Sequence, residues 1–156
     1  MALDLIIHFV ESEADWAEVQ RIRTVVFIEE QACPPEDEFD EHDAPEARFG
    51  TCRHFLGEVD GEAVATARWH PYEFEGVPAA KLERFAVIKE ARGAGHGRAM
   101  ITHLMDDARE SGFNRQILHA QTYLEKLYTE FGFVRAGDVF DEAGILHVKM
   151  VSTGKS

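Results

Sequence analysis

A chain of 156 residues, 45% of them hydrophobic, is long enough to bury one substantial core, and a single domain over 1–156 is the default expectation. Sixteen basic against 29 acidic residues leave a formal net charge of −13, which excludes gripping nucleic acid or an anionic membrane through bulk electrostatics. No apolar run approaches the ~20 residues that span a bilayer. The opening MALDLIIHFVESE carries acids where a secretory leader has a basic segment, so a soluble cytoplasmic protein is expected, with Cys33 and Cys52 as reduced thiols.

In chain order, DLIIHFV predicts a short strand, and Ser12-Glu13-Ala14-Asp15 has the form of a capping box opening a helix. Val19, Ile22 and Val26 follow helical spacing, and Arg23 occupies the same stripe, which places it inward or at a cleft edge. Residues 29–48 mix prolines with many acids and predict an irregular loop. RHFLGEV and EAVATARWH alternate about Asp60-Gly61 as a β-hairpin, and a third strand runs from about Ala79 to Val87. Ile101, Leu104, Met105 and Ala108 then form the apolar face of a helix ending near Ser111-Gly112. RQILHA predicts a strand, TYLEKLYTEF a helix, and FVRAGDVF with ILHVKM two closing strands joined by a turn at Asp141 to Gly144. The order β, α, β-hairpin, β, α, β, α, β, β is that of a mixed α/β sheet.

The most informative stretch is RFAVIKEARGAGHGRAM, Arg84 to Met100, in which an apolar strand meets three glycines in five positions before a helix. Free N–H groups of a first helical turn, backed by about half a unit of positive charge from the macrodipole, make an anion site. An acidic protein holding an anionic ligand needs such a local arrangement. The P-loop is excluded because Gly97 is followed by Arg98 and Ala99, and the dinucleotide fingerprint because position 98 is arginine. Arg-x-x-Gly-x-Gly remains, carried by Arg92, Gly95 and Gly97.

That pattern resembles the diphosphate-binding loop of the GNAT superfamily of N-acetyltransferases. Gln121, Leu124, Tyr128, Gly132 and Phe133 fall where that superfamily commonly has Asn, Ala, Tyr, Gly and Phe. Arg23, Phe27, Glu30 and Gln31 in RTVVFIEEQACP, and the tail FDEAGILHVKM, resemble the ElaA-like branch, with Leu146 in place of a proline. The resemblance spans roughly residues 20–150 and implies a GNAT fold of α/β (α+β) class, a mixed sheet of six to seven strands flanked by about four helices. It implies acetyl-CoA as cosubstrate, no metal, and a small-molecule or peptide amine as acceptor. The diphosphate would lie on Arg92, Gly93, Ala94, Gly95, His96, Gly97 and Arg98, with Gln121 nearby. The pantetheine arm would pair with the backbone of Phe85, Ala86 and Val87, and the Val87 N–H would serve the developing oxyanion.

An alkyl ammonium has a pKa near ~10.4, so direct attack needs a group to take its proton, and the departing thiolate needs a donor. The resemblance makes Tyr128 that donor. Glu83 is the candidate base. A period of two puts Lys81, Glu83, Phe85 and Val87 on one face, where partial burial would raise the Glu83 pKa. Water leading to Glu30 or to His119 could do the same work. Arg23 and Glu30 lie on the segment that shapes the acceptor side in this branch, His119 is a further acceptor-side candidate, and PPEDEFDEHDAPE could add an acidic face suited to a cationic amine. Asp40, Glu41, His42 and Asp43 lack the spacing of a metal site. A non-catalytic acetyl-CoA sensor or interaction domain is the alternative, and an exposed strand edge near the C-terminus could pair two copies as a homodimer.

Overall fold

The computed structural model describes residues 4–153, Phe49 by its backbone alone. Strand β1 (Leu5–Phe9) leads to helix α1 (Glu13–Arg23), whose N-terminus is capped by the Ser12 Oγ accepting from Asp15 N at 3.1 Å. The helix continues through a π-helical turn (Thr24–Glu30) and a short helix α2 (Pro35–Glu38). Strands β2 (Arg53–Val59), β3 (Glu62–Phe74) and β4 (Val77–Val87) form an antiparallel meander, and helix α3 (His96–Glu110) crosses to β5 (Gln116–Gln121). Helix α4 (Glu125–Glu130) precedes the hairpin β6 (Val134–Glu142) and β7 (Ile145–Ser152). The seven strands make one mixed sheet in the order β1-β2-β3-β4-β5-β7-β6, in keeping with the expected architecture.

Both sheet faces are covered, by different helices. On one side Met100, Ile101, Leu104, Met105 and Ala108 of α3 pack with Tyr128 and Phe133 against Phe55, Ala65, Leu82 and Leu118. On the other, Trp16, Val19 and Ile22 of α1 pack with Val26 on Leu56, Ala63 and Ala86. The predicted apolar stripes of α1 and α3 are therefore their buried faces. No helix among the described residues is long and apolar enough to cross a membrane.

Two sheet features position the site. Strands β4 and β5 are parallel neighbours that pair at Ala80↔Gln116 and Lys81↔Ile117, and from Leu82 onward β4 has no strand partner on that side among the described residues. A bulge also interrupts the β3–β4 register, with Arg84 in the left-handed region at φ 61. The extra residue reverses the alternation expected for this strand. Phe85 and Val87 face α3 and the Tyr128 cluster, whereas Glu83 faces Arg68 on the other side.

Residues 29–48 depart most from expectation. Instead of an irregular solvated loop, Thr24–Glu30, Pro35–Glu38 and a 3₁₀ turn at Glu41–Asp43 make successive short helical pieces. Three of the acids point inward. Arg23, 1% exposed, donates from Nε to Glu38 Oε2 at 2.7 Å and from Nη1 to Asp43 Oδ1 at 2.6 Å. Arg68, fully buried, donates from Nη1 to Asp43 Oδ1 at 2.9 Å, from Nη2 to Asp40 Oδ2 at 2.7 Å and from Nη2 to Glu83 Oε1 at 2.8 Å. Arginine geometry suits this use, because its five donors can satisfy several carboxylates at once.

Burial opposes ionisation of Asp43, but its hydrogen bond and charge pairing with Arg23, followed by Arg68, prevail and lower its pKa from 3.8 to about 2. A depressed carboxyl stabilises the fold above its unfolded pKa, so this contribution is complete above pH 4 and is lost as pH falls toward 2. The loss is expected to be about 2 kcal/mol in urea melts across that window, and Asp43→Asn should remove the pH dependence along with the stability.

Candidate active site

A cleft of about 1170 Å³ opens where β4 and β5 part, and it reaches from the α3 face of the sheet to the α1 face. After β4 the chain makes a 3₁₀ turn (Lys89–Ala91), and Gly93 and Gly95 follow at φ 89 and φ 84. A side chain at either position would meet nothing within 4 Å, so left-handed backbone rather than lack of space calls for glycine there. Helix α3 starts at His96 with no side-chain cap, which leaves its first-turn amides to the cleft that Gly95, His96 and Gly97 line. This arrangement fits a diphosphate, and the unpaired edge of β4 at Phe85, Ala86 and Val87 beside it fits an extended polar arm.

Of the cations expected here, only Arg92 reaches the cleft. It donates from Nε to the Val87 carbonyl at 2.8 Å and from Nη2 to Glu30 Oε1 at 2.9 Å. Arg98 points away, to Glu130 at 2.8 Å, because one residue of helical rotation carries it past the groove. Ala94 does not line the cleft either.

Tyr128 is 6% exposed and borders the cleft between Phe85 and Phe133, with ring centroids 6.3 Å and 6.1 Å away. Among the described residues its hydroxyl has no hydrogen-bond partner. A buried phenol ordinarily has one. Burial raises its pKa above the ordinary value of 10, so the hydroxyl remains a donor at neutral pH.

Glu83 lines the α1 side of the cleft and corrects one expectation. Burial does push its carboxyl up, but the His70 Nε2 hydrogen bond at 2.9 Å, Arg68, Arg84 and Lys81 outweigh it and hold the pKa well below the carboxylate range. Its Oε1 takes bonds from Arg68 and His70. Among the described residues its Oε2 accepts no hydrogen bond, with Arg84 Nη1 at 3.7 Å and Lys81 Nζ at 3.9 Å.

Arg23, expected on the acceptor side, is instead inside the buried ion network and does not line the cleft. It fixes the segment that does. Glu30 faces the cleft tied to Arg92, and Gln121 donates from Nε2 to Gln31 Oε1 at 3.0 Å across the opening. His119 also lines the cleft, with Nδ1 3.2 Å from Glu142 Oε1. That bond is the leading cause of a lowered Glu142 pKa. Sequence reasoning missed Lys81, Arg68, His70 and Glu142 as site residues. Lys81 and Glu142 stand within two residues of predicted features, but Arg68 and His70 are only two of several polar side chains in their strand.

Comparison with known proteins bears on the family and the fold. Residues 16–133 match the family described as Acetyltransferase (GNAT) family. A candidate acetyltransferase of Bacillus subtilis is 35% identical over 147 residues, covering 94% of this chain and 95% of that one. The uncharacterised N-acetyltransferase YjcF of the same organism is 34% identical over 132 residues, 83% and 86% of the two chains. Escherichia coli ElaA superposes with a TM-score of 0.81 at 25% identity, over 97% of this chain and 99% of that one. An acyl-CoA N-acyltransferase from Pseudomonas aeruginosa superposes with a TM-score of 0.79, also at 25% identity and with the same coverage.

Of the chain's three phenols, Tyr128 is expected to resist ionisation in an ultraviolet absorbance titration, and Tyr128→Phe should remove that late phase. Because its pKa is raised in the fold, stability should fall as pH rises past 10, and the variant should show a shallower fall.

Proposed function

The chain belongs to the GNAT acetyltransferase family, a family of acetyl-CoA-dependent N-acetyltransferases, and we propose that it moves the acetyl group to a primary amine by direct attack in a ternary complex. The observation that carries this reading is the hydroxyl of the buried Tyr128 side chain, without a hydrogen-bond partner among the described residues, on the wall of the cleft that the α3 amides also enter. In this reading the first-turn amides of α3 and Arg92 hold the diphosphate, and the free edge at Phe85, Ala86 and Val87 aligns the pantetheine arm. The Val87 N–H supports charge developing on the acetyl oxygen.

Glu83 Oε2 takes a proton from the acceptor ammonium, directly or through a water. Held this strongly ionised, Glu83 passes that proton to solvent at the cleft mouth rather than storing it, so its main contribution is to place the ammonium. The amine nitrogen bonds to the acetyl carbon as the carbon–sulfur bond breaks, and the thiolate takes the Tyr128 proton. The surplus proton on the new amide nitrogen restores the tyrosine through water. Glu30 and His119 border the same acceptor space. We place this activity in the cytoplasm, where both cysteines would remain the free thiols seen in the structure.

Tyr128→Phe is expected to lower kcat about 100-fold in an assay of thiol release while acetyl-CoA raises its melting temperature as it does that of the parent. Stabilisation by acetyl-CoA with no thiol release from any amine would instead identify a sensor. Glu83→Gln should lower kcat/KM for the amine by about tenfold or more and leave the acetyl-CoA shift intact.

A further inference from the structure

The geometry points to an acceptor that carries a carboxylate beside its amine, an amino acid, with Lys81 receiving the carboxylate. The inference rests on the acetyltransferase reading and specifies its second substrate.

Lys81 occupies the last paired position before β4 and β5 separate, opposite Ile117, and its side chain is 18% exposed. Among the described residues one lysine and two arginines line the cleft, and both arginines are engaged. Arg84 donates to the Glu38 carbonyl at 3.1 Å, and Arg92 donates to Val87 O and Glu30. Lys81 Nζ, by contrast, has no acceptor within hydrogen-bonding distance among the described residues. It lies over the Tyr72 ring at 5.2 Å and stops 3.9 Å short of Glu83 Oε2. That oxygen also accepts no hydrogen bond, since Arg68 and His70 both use Oε1. A donor with three N–H groups and an acceptor with open lone pairs thus face each other across a gap slightly too wide to close.

The ammonium nitrogen and carboxylate oxygens of an α-amino acid are about 3 Å apart. Such a zwitterion can lie alongside the pair, its ammonium on Glu83 Oε2 and its carboxylate on Lys81 Nζ, so that the four charges alternate around a ring. Charge selects the same class. A second ammonium, as in a polyamine, would be pushed off by Lys81. A phosphate dianion would meet Glu83, Asp40 and Glu142 on the surrounding walls. A recess of about 430 Å³, lined by Tyr72, His42 and His70 and bordered by Lys81 and Glu83, leaves room for an acceptor side chain.

The test uses the full chain with acetyl-CoA and thiol release as readout. The acceptors are the twenty standard amino acids, each beside its decarboxylated amine, with spermidine and glucosamine. At least one amino acid should exceed its decarboxylated partner by about 10- to 100-fold in kcat/KM, the range for a charge-assisted hydrogen bond. Lys81→Met should bring that ratio close to one through KM, and Lys81→Arg should keep most of it. Turnover of amines without preference for the carboxylate, or of polyamines or glucosamine alone, overturns the inference and leaves the acetyltransferase reading standing. Thiol release from no acceptor in the panel overturns the inference too, and if acetyl-CoA also fails to shift the melting temperature, the acetyltransferase reading falls with it. Should Lys81→Met not fold, the parent's ratio decides alone.

Discussion

The site depends on one constraint, that β4 and β5 hold together at two residue pairs and then part. Were the ladder continued, the sheet would be a closed partition between α1 and α3, and no molecule could touch both sides. Parting the strands exposes a row of backbone donors and acceptors and joins the two helical layers through a slot. The bulge at Arg84 then divides the work of the strand. It turns Phe85 toward Tyr128 while Glu83 stays with Arg68, so the phenol and the carboxylate approach the slot from opposite faces.

Holding a sheet open calls for a rigid frame around the opening, and the frame on the α1 side is electrostatic. Arg23, Arg68 and Arg84 are interleaved with Glu38, Asp40, Asp43 and Glu83, and most of these groups are shielded from water. A buried ion network of this kind contributes little net stability over an apolar core of the same shape, because desolvation offsets its attraction. Its directional bonds do hold segment 35–43 in one place. Arg68 and Arg84 of this frame, together with His70 and Lys81, also keep Glu83 ionised, so the frame and the charge of the cleft share two residues.

Much of this was legible in the sequence, and the residues show why. The hairpin turn at Asp60-Gly61 adopts the left-handed pair that this dipeptide favours, the glycine of Asp141 to Gly144 marks a second turn, and the stripes of α1 and α3 follow from spacing alone. The glycine loop was readable because left-handed backbone next to a helix start leaves a compositional mark. Strand β3 runs to Phe74 and β4 begins at Val77, beyond the expected ends, because Pro71 and Pro78 sit within paired strands where proline usually argues against one. The acid-rich segment was opaque for a different reason. Whether a carboxylate faces water or a guanidinium depends on residues such as Arg68 that lie 25 or more positions away, and no local pattern encodes that pairing. The bulge at Arg84 was hidden likewise, since a single inserted residue leaves no periodic trace.

The bridge between Gln31 and Gln121 joins residues 90 positions apart, and Arg92 reaches Glu30 over 62. Contacts of such long sequence separation are slow to close and cannot persist until the intervening strands are in place. The slot is therefore absent from any partly assembled chain, however much helix or hairpin that chain has formed. A ligand held in the slot would therefore favour the finished topology over every partly assembled chain.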